Sequence, residues 1–393
     1  MSVGKILSRN ENKIGKITFP NDWSIYKLSD ILKLVKRPIK MEDQKFYNLV
    51  TIKRRFGGMV KRERLRGNQI QVKSQFSVKS GDFVISKRQI SHGACAIVPE
   101  KLDGSIVSNE YNILRNKENL DLEFFNWYVQ LPFMQRYFYL SSDGVHIEKL
   151  LFKLEDWLQR KVCIPEVKEQ KKIAKIISTW DKAIELKEKL IEQKKKQKKG
   201  LMQKLLTGEV RLPGFYGEWE KVSFSDIFIK TKVKKHQIKT NEYLESGKYP
   251  VVDQGQKKVT AYSNDEEKVF EVPETGVIVF GDHTREIKFI DFDFIIGADG
   301  TQVLMTKDDY DVRFYYYHLL IQKIPNTGYN RHFKFLKEMI FNKPSLKEQK
   351  AISNLLSTID KELDLLNAEL SALNEQKKGL MQLLLTGKVR VKV

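Results

Sequence analysis

QKKGLMQKLLTGEVR, residues 197–211, returns as QKKGLMQLLLTGKVR at residues 376–390. The offset is 179 positions, and it holds without a gap back to Pro165 and Pro344. KEQK at 168–171 recurs at 347–350, and STWDK at 178–182 recurs as STIDK at 357–361. From Pro165 to Arg211, 24 of 47 positions match their partners, so the chain carries a duplicated unit that any fold must accommodate.

The second copy shows what the unit is for. Ile352, Leu356, Ile359, Leu363, Leu366, Leu370 and Leu373 are spaced alternately by four and three, the seam of a helix that packs along another helix. The first copy carries Ile173, Ile177, Trp180, Ile184 and Ile191 on the same seam, with Lys187 and Lys194 interrupting it. Those two lysines are expected to snorkel or to set the register, with looser packing toward that end. Each helix is predicted to cover about 30 residues, roughly 45 Å at 1.5 Å per residue. Pro165 and Pro344 stand where a helix begins, and Gly208 and Gly387 stand as its C-terminal caps.

Before each helix the texture changes to short β-like runs, glycine turns and aromatics. DWSIYKLSDI at 22–31 and EWEKVSFSDI at 218–227 are faint echoes of one another, as are SGDFVISK at 80–87 and TGVIVFGD at 275–282. The fold class is therefore α+β. Residues 21–164 and 213–342 read as two mixed α/β domains, separated by repeated helical spacers at 165–212 and 343–393, with an extension at 1–20. A duplicated frame suits pseudo-two-fold symmetry, and each half, domain plus helix, reads as one structural module.

With 393 residues the chain has room for two or three cores, and 41% apolar residues make it globular. The net charge of +20 points to a polyanionic partner, nucleic acid in the first place. Cys95 and Cys163 are far apart and lack zinc-ligand spacing, so neither a disulfide framework nor a structural metal site is expected. No signal peptide and no membrane-length apolar run is visible, which places the protein in the cytoplasm away from membranes.

Arginine pairs with guanine edges or phosphates, glutamine and asparagine with adenine. In the first domain the candidates are Arg54, Arg55, Lys61, Arg62, Arg64 and Arg66, placed in a loop opened by Gly57-Gly58. Lys87, Arg88, Gln89, Ser91 and His92 form a second cluster after a strand. In the second domain they are Gln254, Gln256, Lys257 and Lys258, with Asp253 beside them. The turn with His283, Thr284 and Arg285 and the stretch with Tyr329, Asn330 and Arg331 complete the set. Most of these would be phosphate contacts that fix register. The aromatic run RFYYYHLL at 313–320 is spaced like the buried face of a helix and reads as core.

Enzyme readings fare poorly. Asp282 precedes Glu286 by only four residues, too close for the two-carboxylate metal site of a restriction nuclease. No glycine-rich loop follows a strand to cradle S-adenosylmethionine, and no Asn-Pro-Pro-Tyr or Asp-Pro-Pro-Tyr motif holds a flipped base. A pure coiled-coil scaffold, or a DNA-binding protein without a restriction role, is the alternative, but a scaffold leaves the charge and the two unlike domains unexplained.

The order of variable segment, helix with KEQ and KKGLMQ-LLTG, second variable segment and second helix resembles the specificity subunit of type I restriction–modification enzymes. The likeness runs from about residue 21 to the end. It implies two target-recognition domains, each reading one half of a split double-stranded DNA site, and two helices forming an antiparallel coiled coil that sets the spacing. It further implies two methyltransferase subunits as partners, endonuclease–translocase subunits joining them, and a phage-defence role. No cofactor is expected in this chain, S-adenosylmethionine belonging to the methyltransferase.

Overall fold

The computed structural model describes residues 12–144, 150–297, 299–328 and 330–392. By contact the chain forms two units, Met1–Leu186 with Leu370–Val393, and Lys187–Glu369. Each unit therefore takes one end of each long helix.

The helices are longer than the seam alone suggested. They run Val167–Thr207 and Leu346–Leu385, 41 and 40 residues, which is roughly 60 Å each at 1.5 Å per residue. The repeated KKGLMQ-LL tail, rich in helix formers, carries the turns onward through Gly200 and Gly379. Both helices stop where a left-handed residue is needed, at Gly208 (φ 79°) and Gly387 (φ 69°).

In the first unit, the segment set apart from sequence as an N-terminal extension is folded from Asn12 onward. Asn12–Ile14 pairs with Ile17–Phe19, and Phe19 and Trp23 enter the core. One four-stranded sheet runs in the order Met59–Arg66, Phe46–Ile52, Ile106–Ser108, Gln75–Ser77. The other runs Leu32–Val35, Tyr111–Asn116, Phe83–Ser86, Cys95–Ile97. Ile173 and Ile177, the start of the first seam, are fully buried in this unit's core with Leu384 and Leu385 of the second helix. Cys95 and Cys163 are both buried and unpaired.

The second unit repeats the plan with other residues. Phe228–Lys230, Thr301–Thr306, Val277–Gly281 and Ile287–Ile290 form one sheet in that order. A second sheet is built on Phe294–Gly297, flanked by Tyr249–Val252 and Gln237–Ile238. The aromatic run lies in the helix Val312–Ile321, with Phe314, Tyr315 and Tyr317 buried as expected. Ile352 and Leu356 sit in this core with Met202, Leu205 and Leu206 of the first helix.

The identical letters of the repeat turn out to be fasteners. In the first unit Gln170 Oε1 accepts from Asp121 N at 2.8 Å, and Asp121 in turn caps the helix Leu122–Tyr128 by accepting from Phe124 N. In the second unit Gln349 Oε1 accepts from Asp311 N at 2.8 Å, and Asp311 caps Val312–Ile321 through Phe314 N. Glu169 holds Arg390 as Glu348 holds Arg211. Lys377 pairs with Asp181 and lies 4.5 Å from the Trp127 ring, while Lys198 pairs with Asp360 and lies 5.2 Å from the Tyr317 ring. A side chain at Gly387 would collide with Pro20, and one at Gly208 would press on Trp219 at 3.3 Å.

These pairs also fix direction. In the second unit the partners of Lys187, Lys194 and Lys198 are Glu369, Glu362 and Asp360, so the helix segments run antiparallel there. In the first unit Glu169 meets Arg390 and Asp181 meets Lys377, the same sense. Lys187 and Lys194, expected to snorkel or to set the register, are ion-paired to the other helix at 2.6 and 2.8 Å, as the second of those readings requires. Trp180, Ile359, Leu366, Leu370 and Leu373 are half-buried, and Ile184, Ile191 and Leu363 are buried.

Candidate nucleic-acid interface

The arginine block of the first unit is a hairpin and not a single loop. Met59–Arg66 is a strand, antiparallel to Phe46–Ile52 and at the sheet's edge, and only residues 53–58 turn. Lys61, Arg62, Arg64 and Arg66 are exposed along that strand, with a register shift at Leu49/Val50. Phe46, 49% exposed, carries the guanidinium groups of Arg64 and Arg66 at 5.1 and 5.2 Å from its ring. Stacking of this kind holds a planar cation in place without neutralising it. Among the described residues, none of Arg55, Lys61, Arg62, Arg64 and Arg66 is in an ion pair.

The turn of the hairpin joins the second cluster. Arg55 N donates to His92 O at 2.7 Å and Phe56 N to Gly93 O at 2.9 Å, while Arg54 Nε donates to Gln89 Oε1 at 2.8 Å. Arg55 and Phe56 both adopt left-handed backbone, φ 57° and 55°, a strained pair that the docking enforces. The Phe56 ring fills the space a Cβ at Gly93 would need, 2.9 Å away. Two stretches some 35 positions apart in sequence thus form one surface, on which Arg54 and Arg55 are exposed. Arg88, by contrast, is bound to Glu110 at 2.7 Å, and Ser91 and His92 are half-buried. Lys87 is half-buried as well.

In the second unit the corresponding region is a set of loops held together from within. Gln254, one of the DNA-contact candidates, bridges two loops: its Nε2 donates to Asp299 O at 2.9 Å and its Oε1 accepts from His283 N at 3.2 Å. Thr284 Oγ1 donates to Gln254 O. Asp253 is buried and accepts from Gly255 N and Thr260 Oγ1 at 2.8 and 2.7 Å. Beneath the loop Lys288 Nζ donates to Asp253 O at 2.8 Å and to Lys257 O at 2.5 Å, and burial lowers its pKa. What remains outward is Gln256, Lys257 and Lys258, the last near Asp291 at 3.4 Å. Arg285, with φ 64°, is the second unit's left-handed arginine and donates to Ile324 O at 3.3 Å.

Asn330 and Arg331 are exposed, and Tyr329 lies outside the described residues. The neighbouring His332 is buried, its N and Nδ1 at 2.9 Å from Asp282 O. Asp282 Oδ1 accepts from Phe333 N at 2.7 Å, so this carboxylate is committed to a backbone amide. Among the described residues no group of three His, Cys, Asp or Glu is placed to hold a metal ion, and no helix is long and apolar enough to cross a membrane.

Two basic but differently built surfaces, each set on the same helical fasteners, define a two-domain protein with a duplicated frame. The family model described as type I restriction modification DNA specificity domain matches residues 20–195 and again 216–375. The chain belongs to that family and carries two of its domains. It is 25% identical over 431 residues to the type I restriction enzyme MjaVIII specificity subunit of Methanocaldococcus jannaschii, covering 98% of this chain and 96% of that one. A crystal structure of a type I restriction–modification S subunit from M. genitalium shares the fold, with TM-score 0.62, 17% identity, and 96% and 97% of the two chains covered. Another, of the HsdS subunit from Thermoanaerobacter tengcongensis, has TM-score 0.54 at 17% identity, covering 95% of this chain and 99% of that one.

Proposed function

We propose that this chain is the sequence-reading subunit of a type I restriction–modification complex. Residues 21–164 read one half of a bipartite duplex site and residues 213–342 the other. The observation that carries this reading is the contrast between the two units: the repeat supplies identical fastening residues to both, whereas one basic surface is an edge strand with its turn and the other a set of loops. In the first, Arg54, Arg55, Lys61, Arg62, Arg64 and Arg66 meet DNA, most of them at phosphates. In the second, Gln256, Lys257, Lys258, Arg285, Asn330 and Arg331 do so, with Gln254 and Thr284 as positioning residues.

The chain itself does no chemistry in this reading. Its repeated helices set the half-site spacing and hold two methyltransferase subunits, which use S-adenosylmethionine, and endonuclease–translocase subunits join that assembly. A scaffold without DNA reading would not need two unlike basic surfaces. The test is long-read methylation sequencing of cells that express the chain with its methyltransferase. Methylated adenines at one split motif are expected. Methylation that is absent, or that ignores exchange of residues 21–164 for another such domain, would refute it.

A further inference from the structure

Four of the ion pairs that join the two repeats are blind to which copy supplies each side. Glu169 and Glu348, Asp181 and Asp360, Lys198 and Lys377, Arg211 and Arg390 are identical pairs at the 179-residue offset. A helix of either copy would meet the same charge at each of these points. The duplication alone therefore permits two first halves, or two second halves, to pair with each other.

Four positions along the helix pair break this equivalence. Lys187 meets Glu369 at 2.6 Å and Lys194 meets Glu362 at 2.8 Å, with the lysines about one quarter exposed. At the same offset the counterparts of the lysines are Leu366 and Leu373, and those of the glutamates are Leu190 and Ala183. Polar thus meets polar in the native pairing. If the first helix paired with its own copy in this register, Lys187 would face Leu190 and Lys194 would face Ala183. If the second did so, Glu369 would face Leu366 and Glu362 would face Leu373.

We infer that Lys187, Lys194, Glu362 and Glu369 are a pairing code that makes the first helix select the second and reject another first. The interaction surface of a first half accordingly fits the second half of this chain, or of another copy, and not a second copy of itself. Each partly exposed pair shifts an equilibrium roughly two- to fivefold, and converting two like pairs into two mixed ones gains four such pairs. The ratio of mixed to like pairs should rise about tenfold over the statistical value.

The test uses the whole folded chain, cut after purification at a protease site inserted beside Tyr216, which is 89% exposed. Cut samples carrying different tags are mixed under exchange conditions, and the pairs are counted by native mass spectrometry. First–second pairs should dominate about tenfold over statistics. In a variant with Lys187→Leu, Lys194→Leu, Glu362→Ala and Glu369→Leu, each position carries its counterpart's residue, and the mixture should become statistical. Reversal of all four charges, Lys187→Glu, Lys194→Glu, Glu362→Lys and Glu369→Lys, should restore the preference and controls for loss of folding. A statistical mixture from the unaltered chain overturns the inference, as does a preference that survives in the neutral variant.

Discussion

Glu348 accepts two hydrogen bonds from Arg211, at 2.6 Å from Nε and 2.7 Å from Nη2, and a third at 3.1 Å from Trp219 Nε1. Glu348 is 1% exposed, so its charge has been taken out of water and depends on these partners. It is the residue through which the start of one long helix grips the end of the other within the second unit.

Removing Arg211 leaves that carboxylate buried without its cation. Arg211→Ala is expected to cost about 3 kcal/mol, seen as a lower melting temperature, and Arg211→Lys to recover only part because the two-pronged geometry is lost. Arg390→Ala should act alike on the first unit through Glu169. A melting curve unmoved by either change would show that these pairs are surface decoration.

The basic strand is expected to act through phosphates. Arg64→Ala with Arg66→Ala should weaken DNA binding and flatten the plot of log affinity against log salt by about 0.9 for each phosphate left without its arginine. Phe46→Ala leaves the charges in place, so binding should weaken while the salt slope stays. Titrations at several salt concentrations separate the two, and equal slopes for all variants would remove this strand from the interface.

Gln254→Ala should behave as a scaffold change. Loss of its two side-chain hydrogen bonds loosens the loop carrying His283 and Arg285, at a cost of about 1–2 kcal/mol. Hydrogen exchange should rise across residues 281–286 and 299–300. Unchanged protection there, with DNA binding lost, would return Gln254 to the role of a direct reader.

His318 makes the second unit acid-sensitive. Burial pushes its pKa down to about 4 from the ordinary 6.5, with nearby Lys221 adding to the shift. Between those values the unfolded chain binds the proton and the folded one does not, so stability is whole above about pH 6.5 and falls as pH drops toward 4. The full loss is about 3 kcal/mol at 1.36 kcal/mol per unit. His318→Phe, set among Phe314, Tyr315 and Phe341, should flatten that part of the pH–stability curve.

Much of the frame could be read from the letters because a duplication compares the chain with itself. Identity at Glu169, Gln170 and Arg211 marked these positions as constrained, but not as fasteners, since their partners Asp121 and Arg390 are brought close only by the fold. Of the seam's apolar members, Ile173, Ile177, Ile184, Ile191, Ile352, Leu356 and Leu363 are buried and the others half-buried. Lys187 and Lys194 looked like defects because their acids lie on the other helix, where periodicity does not see them. In the basic hairpin, four charged residues in a row, Lys61 to Arg64, show no alternation, and a strand looked like a loop. The loop-bridging hydrogen bonds of Gln254 were hidden for the converse reason, as a polar side chain in a loop gives no sign of the backbone groups the fold brings to it.

The first unit is completed by residues from the far end of the chain. Leu384 and Leu385 lie in its core, and Arg390 neutralises its Glu169. During synthesis this unit cannot close until residues 384–390 have been made, whereas the second already has all of its residues by Glu369. The N-terminal half therefore waits with an open core after its neighbour is complete. A stop codon at position 384 would consequently injure the domain encoded first and spare the one beside it in the gene.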